Sequence, residues 1–125
     1  MFKFIVAAIL AAAVVANVVT LTPDNYDSVV SDPTKNVFVK YYAPWCGHCT
    51  RMAPAWAELA SNNKDKDDLV IAECDASAHA EIASKNGIRG FPTIKFYPKD
   101  NKAGVPYSGA RDLAAFQNFI GQHAQ

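Results

Sequence analysis

Cys46 and Cys49, in the run Cys46-Gly47-His48-Cys49, are the residues of this 125-residue chain whose type and spacing best suit chemistry. The spacing serves two purposes in proteins: a pair of thiols that closes and reopens a small disulfide ring, or one half of a zinc site. A structural zinc site takes four ligands, and no second C-x-x-C or H-x-x-x-H partner accompanies Cys46, His48 and Cys49. Reversible disulfide chemistry is therefore the better reading, and no metal is expected. The elements that must position the pair lie on either side of it. Upstream, Val37-Phe38-Val39-Lys40-Tyr41-Tyr42 is an apolar, strand-like run, and downstream Met52, Trp56, Leu59 and Ala60 recur on one helical face. The pair thus stands where a strand hands over to a helix. Unpaired N–H groups and the positive end of the helix dipole there favour a thiolate over a thiol. A helix N-terminus brings a cysteine pKa from about 8.5 to between about 3.5 and 7.5. Cys46 is the expected nucleophile, and Cys49, one turn into the helix, the more buried resolving thiol. An imidazolium at His48 between them stabilises the reduced form and makes the disulfide a stronger oxidant.

Around this centre the chain reads as one domain behind a targeting segment. Met1-Phe2-Lys3-Phe4, an apolar stretch from Ile5 to Val15 and the small residues before Asn17 read as a secretory signal peptide over residues 1–16. The apolar run falls short of the ~20 residues that span a bilayer, so no membrane attachment is expected after cleavage. The remaining 17–125, about 110 residues, suffice for one domain. Half of the residues are hydrophobic, enough for a core without structural disulfides. Twelve basic and twelve acidic residues cancel and form no basic stripe, which argues against a nucleic-acid partner.

The pattern predicts strands over Val18–Leu21, Asn36–Tyr42, Leu69–Cys74, Thr93–Tyr97 and Val105–Tyr107. It predicts a helix opened by Thr22-Pro23 and running to Val30, one from Cys46 to Ser61 kinked at Pro54, and one capped by Ser77 and running to Lys85. A last helix carries Leu113, Phe116 and Ile120, with Gly121 as its stop. Strands alternating with helices give an α/β fold, a mixed sheet with helices on both faces and an antiparallel closing hairpin. Two strands each carry one charge among apolar neighbours, Lys40 and Glu73. A lone buried charge costs several kcal/mol, so the two are expected to pair beneath the cysteines; the alternative is that both side chains reach out to solvent.

The stretch Tyr42-Ala43-Pro44-Trp45-Cys46-Gly47-His48-Cys49, followed by Met52-Ala53-Pro54, resembles the active-site segment of protein disulfide isomerase domains of the thioredoxin superfamily. Arg89-Gly90-Phe91-Pro92-Thr93-Ile94-Lys95-Phe96 is similar to that family's loop with a cis proline. Asp75-Ala76 and Tyr107-Ser108-Gly109-Ala110-Arg111 fall in the family's order, and together these marks run from about Val18 to the C-terminus. The resemblance implies a thioredoxin-like fold and a redox-active Cys46–Cys49 disulfide. It implies a cis bond between Phe91 and Pro92 bordering the groove for a substrate's cysteine segment, with Trp45 as an aromatic wall. It also implies that Arg111 can approach the site and lower the pKa of the second cysteine.

The family usually carries an acidic residue six positions before the first cysteine, assisting proton transfer to the buried thiol, and a lysine where Glu73 stands. Here the signs are exchanged, so Glu73 is the candidate proton acceptor, working from the opposite strand. Arg89 reads as a rim residue, Cys74 as a buried inert thiol, Trp56 as core, and His79 and His123 as exposed helix positions.

The implied activity is the formation, reduction or rearrangement of disulfides in folding secretory polypeptides, with glutathione or an oxidase as redox partner and no dissociable cofactor. The endoplasmic reticulum lumen is the expected location. Secretion is the alternative, since the sequence ends in Gly121-Gln122-His123-Ala124-Gln125 and not in a Lys-Asp-Glu-Leu type signal. Two other activities compete: a thioredoxin-type reductase, which usually has proline in place of His48, and a binding or chaperone module with incidental cysteines.

Overall fold

A computed structural model describes residues 17–125; the expected signal peptide lies outside the described residues. The elements are β1 (Val19–Leu21), α1 (Tyr26–Val30), β2 (Asn36–Tyr42), α2 (Gly47–Asn62), β3 (Leu69–Asp75), α3 (Ala80–Lys85), β4 (Thr93–Tyr97), β5 (Val105–Tyr107) and α4 (Leu113–His123). The five strands form one sheet in the order β1-β3-β2-β4-β5. β3 runs parallel to both β1 and β2, while β4 is antiparallel to β2 and β5 to β4, the expected mixed sheet with its closing hairpin.

The period-2 alternation of β2 divides the core into two layers. Val37, Val39 and Tyr41 join Leu21, Tyr26, Val30, Ala72, Cys74 and Ile82 on the face covered by α1 and α3. Phe38 points the other way, into Met52, Trp56, Leu59, Phe96, Phe116 and Ile120 beneath α2 and α4. Lys40, two residues beyond Phe38, therefore emerges on the α2 side, directly below the cysteines. Pro54 lies inside α2 without ending it. No helix among the described residues is long and apolar enough to cross a membrane.

Two helix starts and one helix end differ from expectation, the starts because a side chain took a hydrogen bond that the pattern assigned elsewhere. Asn25 Oδ1 accepts from the Thr22 N–H (2.7 Å) and Asn25 Nδ2 donates to the Thr20 carbonyl (3.0 Å), fixing a turn. That turn places α1 at Tyr26 and leaves Thr22-Pro23 outside it. Asp75 Oδ1 accepts from the Ser77 hydroxyl (2.6 Å) and the Ala78 N–H (3.2 Å). Ser77 is thereby spent in a turn, and α3 begins at Ala80 after His79. Gly121 does not stop α4, which continues to His123, whose ring lies 4.2 Å from that of Phe119. His123 is accordingly half-buried packing.

The first and last described residues, Asn17 and Gln125, lie at the opposite end of the sheet from the cysteines. The Gln125 N–H donates to Asn36 Oδ1 (3.0 Å) at the start of β2, and Asn17 lines a hollow with Asn63, Lys64 and Leu69 at the start of β3.

Candidate active site

β2 ends at Tyr42, the chain turns through Ala43-Pro44-Trp45, and Cys46 becomes the N-cap of α2. Its extended backbone (φ −82°, ψ 115°) is what an N-cap adopts, and its side chain fills the role a serine or aspartate oxygen usually fills: Sγ accepts the Cys49 N–H at 3.2 Å. The nucleophile is thus held over the orphan donors of the helix by the capping geometry itself. Cys46 is 7% and Cys49 3% exposed, and together with Ala43 they form a small cluster flanked by Tyr42 and Phe91. All three cysteines are free thiols, so the structure depicts the dithiol state and not the expected Cys46–Cys49 disulfide.

The two thiols are driven apart electrostatically. The Cys46 pKa is lowered, first by a hydrogen bond from the Cys49 thiol, then by the Cys49 and His48 backbone N–H groups and the Arg111 charge, against a smaller burial penalty. The Cys49 pKa is raised, chiefly by burial and by its bond to Cys46, with the Lys40 charge opposing. Their surroundings thus favour the thiolate at Cys46 and the thiol at Cys49, one turn below. Burial likewise pushes the Cys74 thiol up to about 11, consistent with an inert core residue.

Lys40 and Glu73 face each other in register across β2 and β3, with Nζ 3.4 Å from Oε1. Lys40 is 3% exposed, which excludes the alternative in which it reaches solvent. Its ammonium also lies 5.2 Å from the centre of the Tyr42 ring, a cation–π contact. Both charges, Tyr42, Cys49 and Thr50 line a hollow of about 250 Å³ beneath the resolving thiol, large enough to admit water.

His48 is placed differently from expectation. The Arg51 guanidinium is hydrogen-bonded to its Nδ1, and because a guanidinium only donates, Nδ1 must accept. The ring is thus turned toward Arg51, and His48 reaches Cys46 through its backbone N–H. Arg51 itself carries no mark in the sequence analysis; its spacing of three from His48 on one helical face was the available signal. Gly47 opens α2, and a Cβ there would meet only the Arg51 guanidinium at an ordinary 3.7 Å, so no steric demand fixes glycine.

Trp45 is 75% exposed, and its ring stands edge-on to Phe91 at 5.7 Å, a wall beside Cys46. The Phe91-Pro92 bond is cis, as the resemblance implies. Arg111 is exposed in a hollow shared with His48, Arg51 and Met52, and its charge acts on Cys46, where the resemblance assigns it to the second cysteine. The difference follows from position: Arg111 lies on the His48 side of the helix end, whereas the charge acting on Cys49 is that of Lys40 from below. Arg89 is exposed.

A mixed five-stranded sheet with a cysteine pair capping the helix after its central strand defines a thioredoxin-like domain. The thioredoxin family profile matches residues 17–122, and the chain belongs to that family. It is 53% identical over 111 residues to protein disulfide isomerase-like 2-1 of Oryza sativa subsp. japonica, covering 89% of this chain and 30% of that protein. It is 50% identical over 103 residues to protein disulfide-isomerase A2 of Mus musculus, covering 81% and 19% respectively. The solution structure of the first thioredoxin domain of mouse protein disulfide-isomerase A4 superposes with a TM-score of 0.75 at 35% identity, covering 87% of this chain and 76% of that one. The chain therefore spans less than a third of the length of these curated relatives.

Proposed function

We propose that residues 17–125 act as a thiol–disulfide oxidoreductase of the protein disulfide isomerase type, on cysteines of folding secretory polypeptides. The observation that carries this reading is the division of labour between a capping, acidified Cys46 and a buried, proton-retaining Cys49. In the oxidising direction a substrate thiolate attacks Cys46 Sγ of the disulfide. A mixed disulfide forms and the bonding pair leaves on Cys49. A second substrate thiolate then attacks the substrate sulfur, releasing an oxidised substrate and the Cys46 thiolate. Two electrons pass to the domain; of the two protons the substrate thiols give up, one returns to the Cys49 sulfur and the other is released while Cys46 stays a thiolate. Glutathione disulfide or an oxidase returns the pair to the disulfide. In isomerisation the reduced Cys46 attacks a wrong disulfide, and Cys49 releases stalled intermediates. Residues 1–16 serve as a signal peptide, and the domain works in the endoplasmic reticulum lumen. Trp45, Phe91 and Pro92 border the substrate. Similarity to proteins named protein disulfide isomerases supports the assignment.

Equilibration with glutathione buffers tests it. A reduction potential near about −180 mV is expected, that of an oxidase or isomerase. A value near about −270 mV recasts the domain as a reductant, and the lack of any reversible couple leaves only a binding module.

Glu73 takes the proton from Cys49 when that thiol attacks a mixed disulfide, through water in the hollow they share. Glu73→Gln is expected to slow resolution of a preformed mixed disulfide by about 100-fold, the lower end of general-base effects. The variant also leaves the Lys40 ammonium buried and unpaired, so stability must be separated from rate. In the double variant Lys40→Met/Glu73→Gln, stability recovers while resolution stays slow. Recovery of both in the double variant overturns the proton-acceptor role.

A further inference from the structure

The three ion pairs among the described residues all use lysines: Lys40, Lys85 and Lys99. The arginines beside the cysteine pair are used otherwise. Arg51 donates to His48 Nδ1, and the Arg111 side chain has neither a hydrogen bond nor an ion pair among the described residues. The two share with His48 and Met52 a hollow of about 140 Å³, the room of roughly four or five waters at ~30 Å³ each. No carboxylate lines it. Nδ1 of His48 is engaged by Arg51, so the charged groups that line the hollow are the two guanidiniums, which only donate. Two guanidiniums without a carboxylate partner and the N-terminal turn of a 16-residue helix thus converge beside the nucleophile.

Such a site fits one ligand chemistry, a carboxylate on a short stem, which a guanidinium receives through paired N–H groups. We propose that Arg51 and Arg111 form a carboxylate-recognition site that selects thiol or disulfide substrates bearing an anionic group close to the reacting sulfur. The inference rests on the oxidoreductase reading. Two sources present this chemistry: an acidic side chain next to a polypeptide cysteine, and the glycine carboxylate of glutathione. Arg51 and Arg111 are then specificity-determining residues, separate from the proton path on the Glu73 side of α2.

The test compares kcat/KM for oxidation of dithiol peptides that carry Glu, Gln or Lys beside the attacking cysteine, and for reduction of glutathione disulfide and its C-terminal amide. It uses the full chain and the variant Arg51→Gln/Arg111→Gln. Each ratio between matched substrates cancels any change in the Cys46 thiolate fraction, which a substitution at Arg111 also produces. The unsubstituted protein is expected to favour Glu over Gln by about three- to tenfold, the effect of two exposed charge contacts, and to disfavour Lys. That preference should shrink to within about twofold in the double variant, and likewise in 1 M salt, where the Debye length falls to about 3 Å. A preference confined to the peptides assigns the site to acidic side chains; one confined to the glutathione pair assigns it to glutathione. Equal rates within both substrate sets overturn the site, as does a preference that survives in the double variant. Failure to turn over the neutral peptide and every other substrate removes the oxidoreductase reading, and this site with it.

Discussion

Replacing Cys46 by Ser reduces disulfide exchange to the uncatalysed rate, whereas Cys49→Ser yields a protein that attacks once and remains bonded to its substrate. The asymmetry comes from the helix start. Only Cys46 has its sulfur over the free N–H groups of α2, with the Cys49 thiol donating to it. A serine hydroxyl at that place still caps the helix, so the fold survives, but it does not ionise near neutral pH and does not attack a disulfide. Cys49 is held as a thiol by burial and becomes a nucleophile only when it gives up its proton. Non-reducing electrophoresis with a disulfide-bonded substrate distinguishes the two: covalent adducts accumulate with Cys49→Ser and are missing with Cys46→Ser. Accumulation with Cys46→Ser instead would reverse the assignment. The same geometry sets a pH dependence. Alkylation of Cys46 rises with pH as the thiolate forms, through a midpoint below the ordinary thiol range, because its neighbours stabilise the charged form. Since the leading cause is the hydrogen bond from Cys49, Cys49→Ala moves that midpoint upward. Alkylation at pH 6–7, followed by mass spectrometry, therefore slows in this variant.

Trp56→Ala is expected to cost about 3–5 kcal/mol of stability, the range for truncating a large core aromatic. Trp56 is fully buried, tilted against Phe38 at 4.9 Å and edge-on to Phe116 at 5.0 Å. Its Nε1–H donates to the Ala72 carbonyl at 3.0 Å, tying α2 to the sheet. The side chain thus holds the helix that carries the nucleophile against the strands that carry Lys40 and Glu73. A loss of that size is a large share of the 5–15 kcal/mol that stabilises a typical domain, and it lowers Tm by roughly 15–25 °C. Trp56→Phe keeps most of the packing and removes the donor to the Ala72 carbonyl, at about 0.5–1.5 kcal/mol. Denaturant melts of the two variants separate packing from the hydrogen bond. Equal losses would mean that the bond, and not ring volume, anchors the helix.

The parts of the fold that the sequence made legible are those set by strict periodicity. β2, β4 and β5 fall at their expected residues, and the period of 2 that buries Phe38 is also what aims Lys40 at Glu73. The helix starts were less legible because they depend on competing side-chain bonds: Asn25 and Asp75 each made a local turn that no hydrophobic pattern encodes. The orientation of His48 was hidden for a related reason, since it hangs on a partner one turn away whose conformation only the folded helix defines. Least legible was a buried chain of hydroxyls, Tyr26 to Tyr41 to Tyr97, at 2.5 and 2.7 Å. Those residues come from α1, β2 and β4, far apart in sequence, and read singly as ordinary core aromatics. Burial raises the pKa of all three, so they remain hydroxyls and keep one another satisfied within the core.

The position of Asn17 and Gln125 beside the first residues of β3 and β2 gives the described domain an orientation. Seven-residue strands at about 3.3 Å per residue put some 20 Å of sheet between those two residues and the cysteine end. Asn17 and Gln125 therefore both stand at the floor of the molecule, away from the cysteine rim. The described unit thus has a polarity: its two ends share one pole, and the cysteine pair occupies the other.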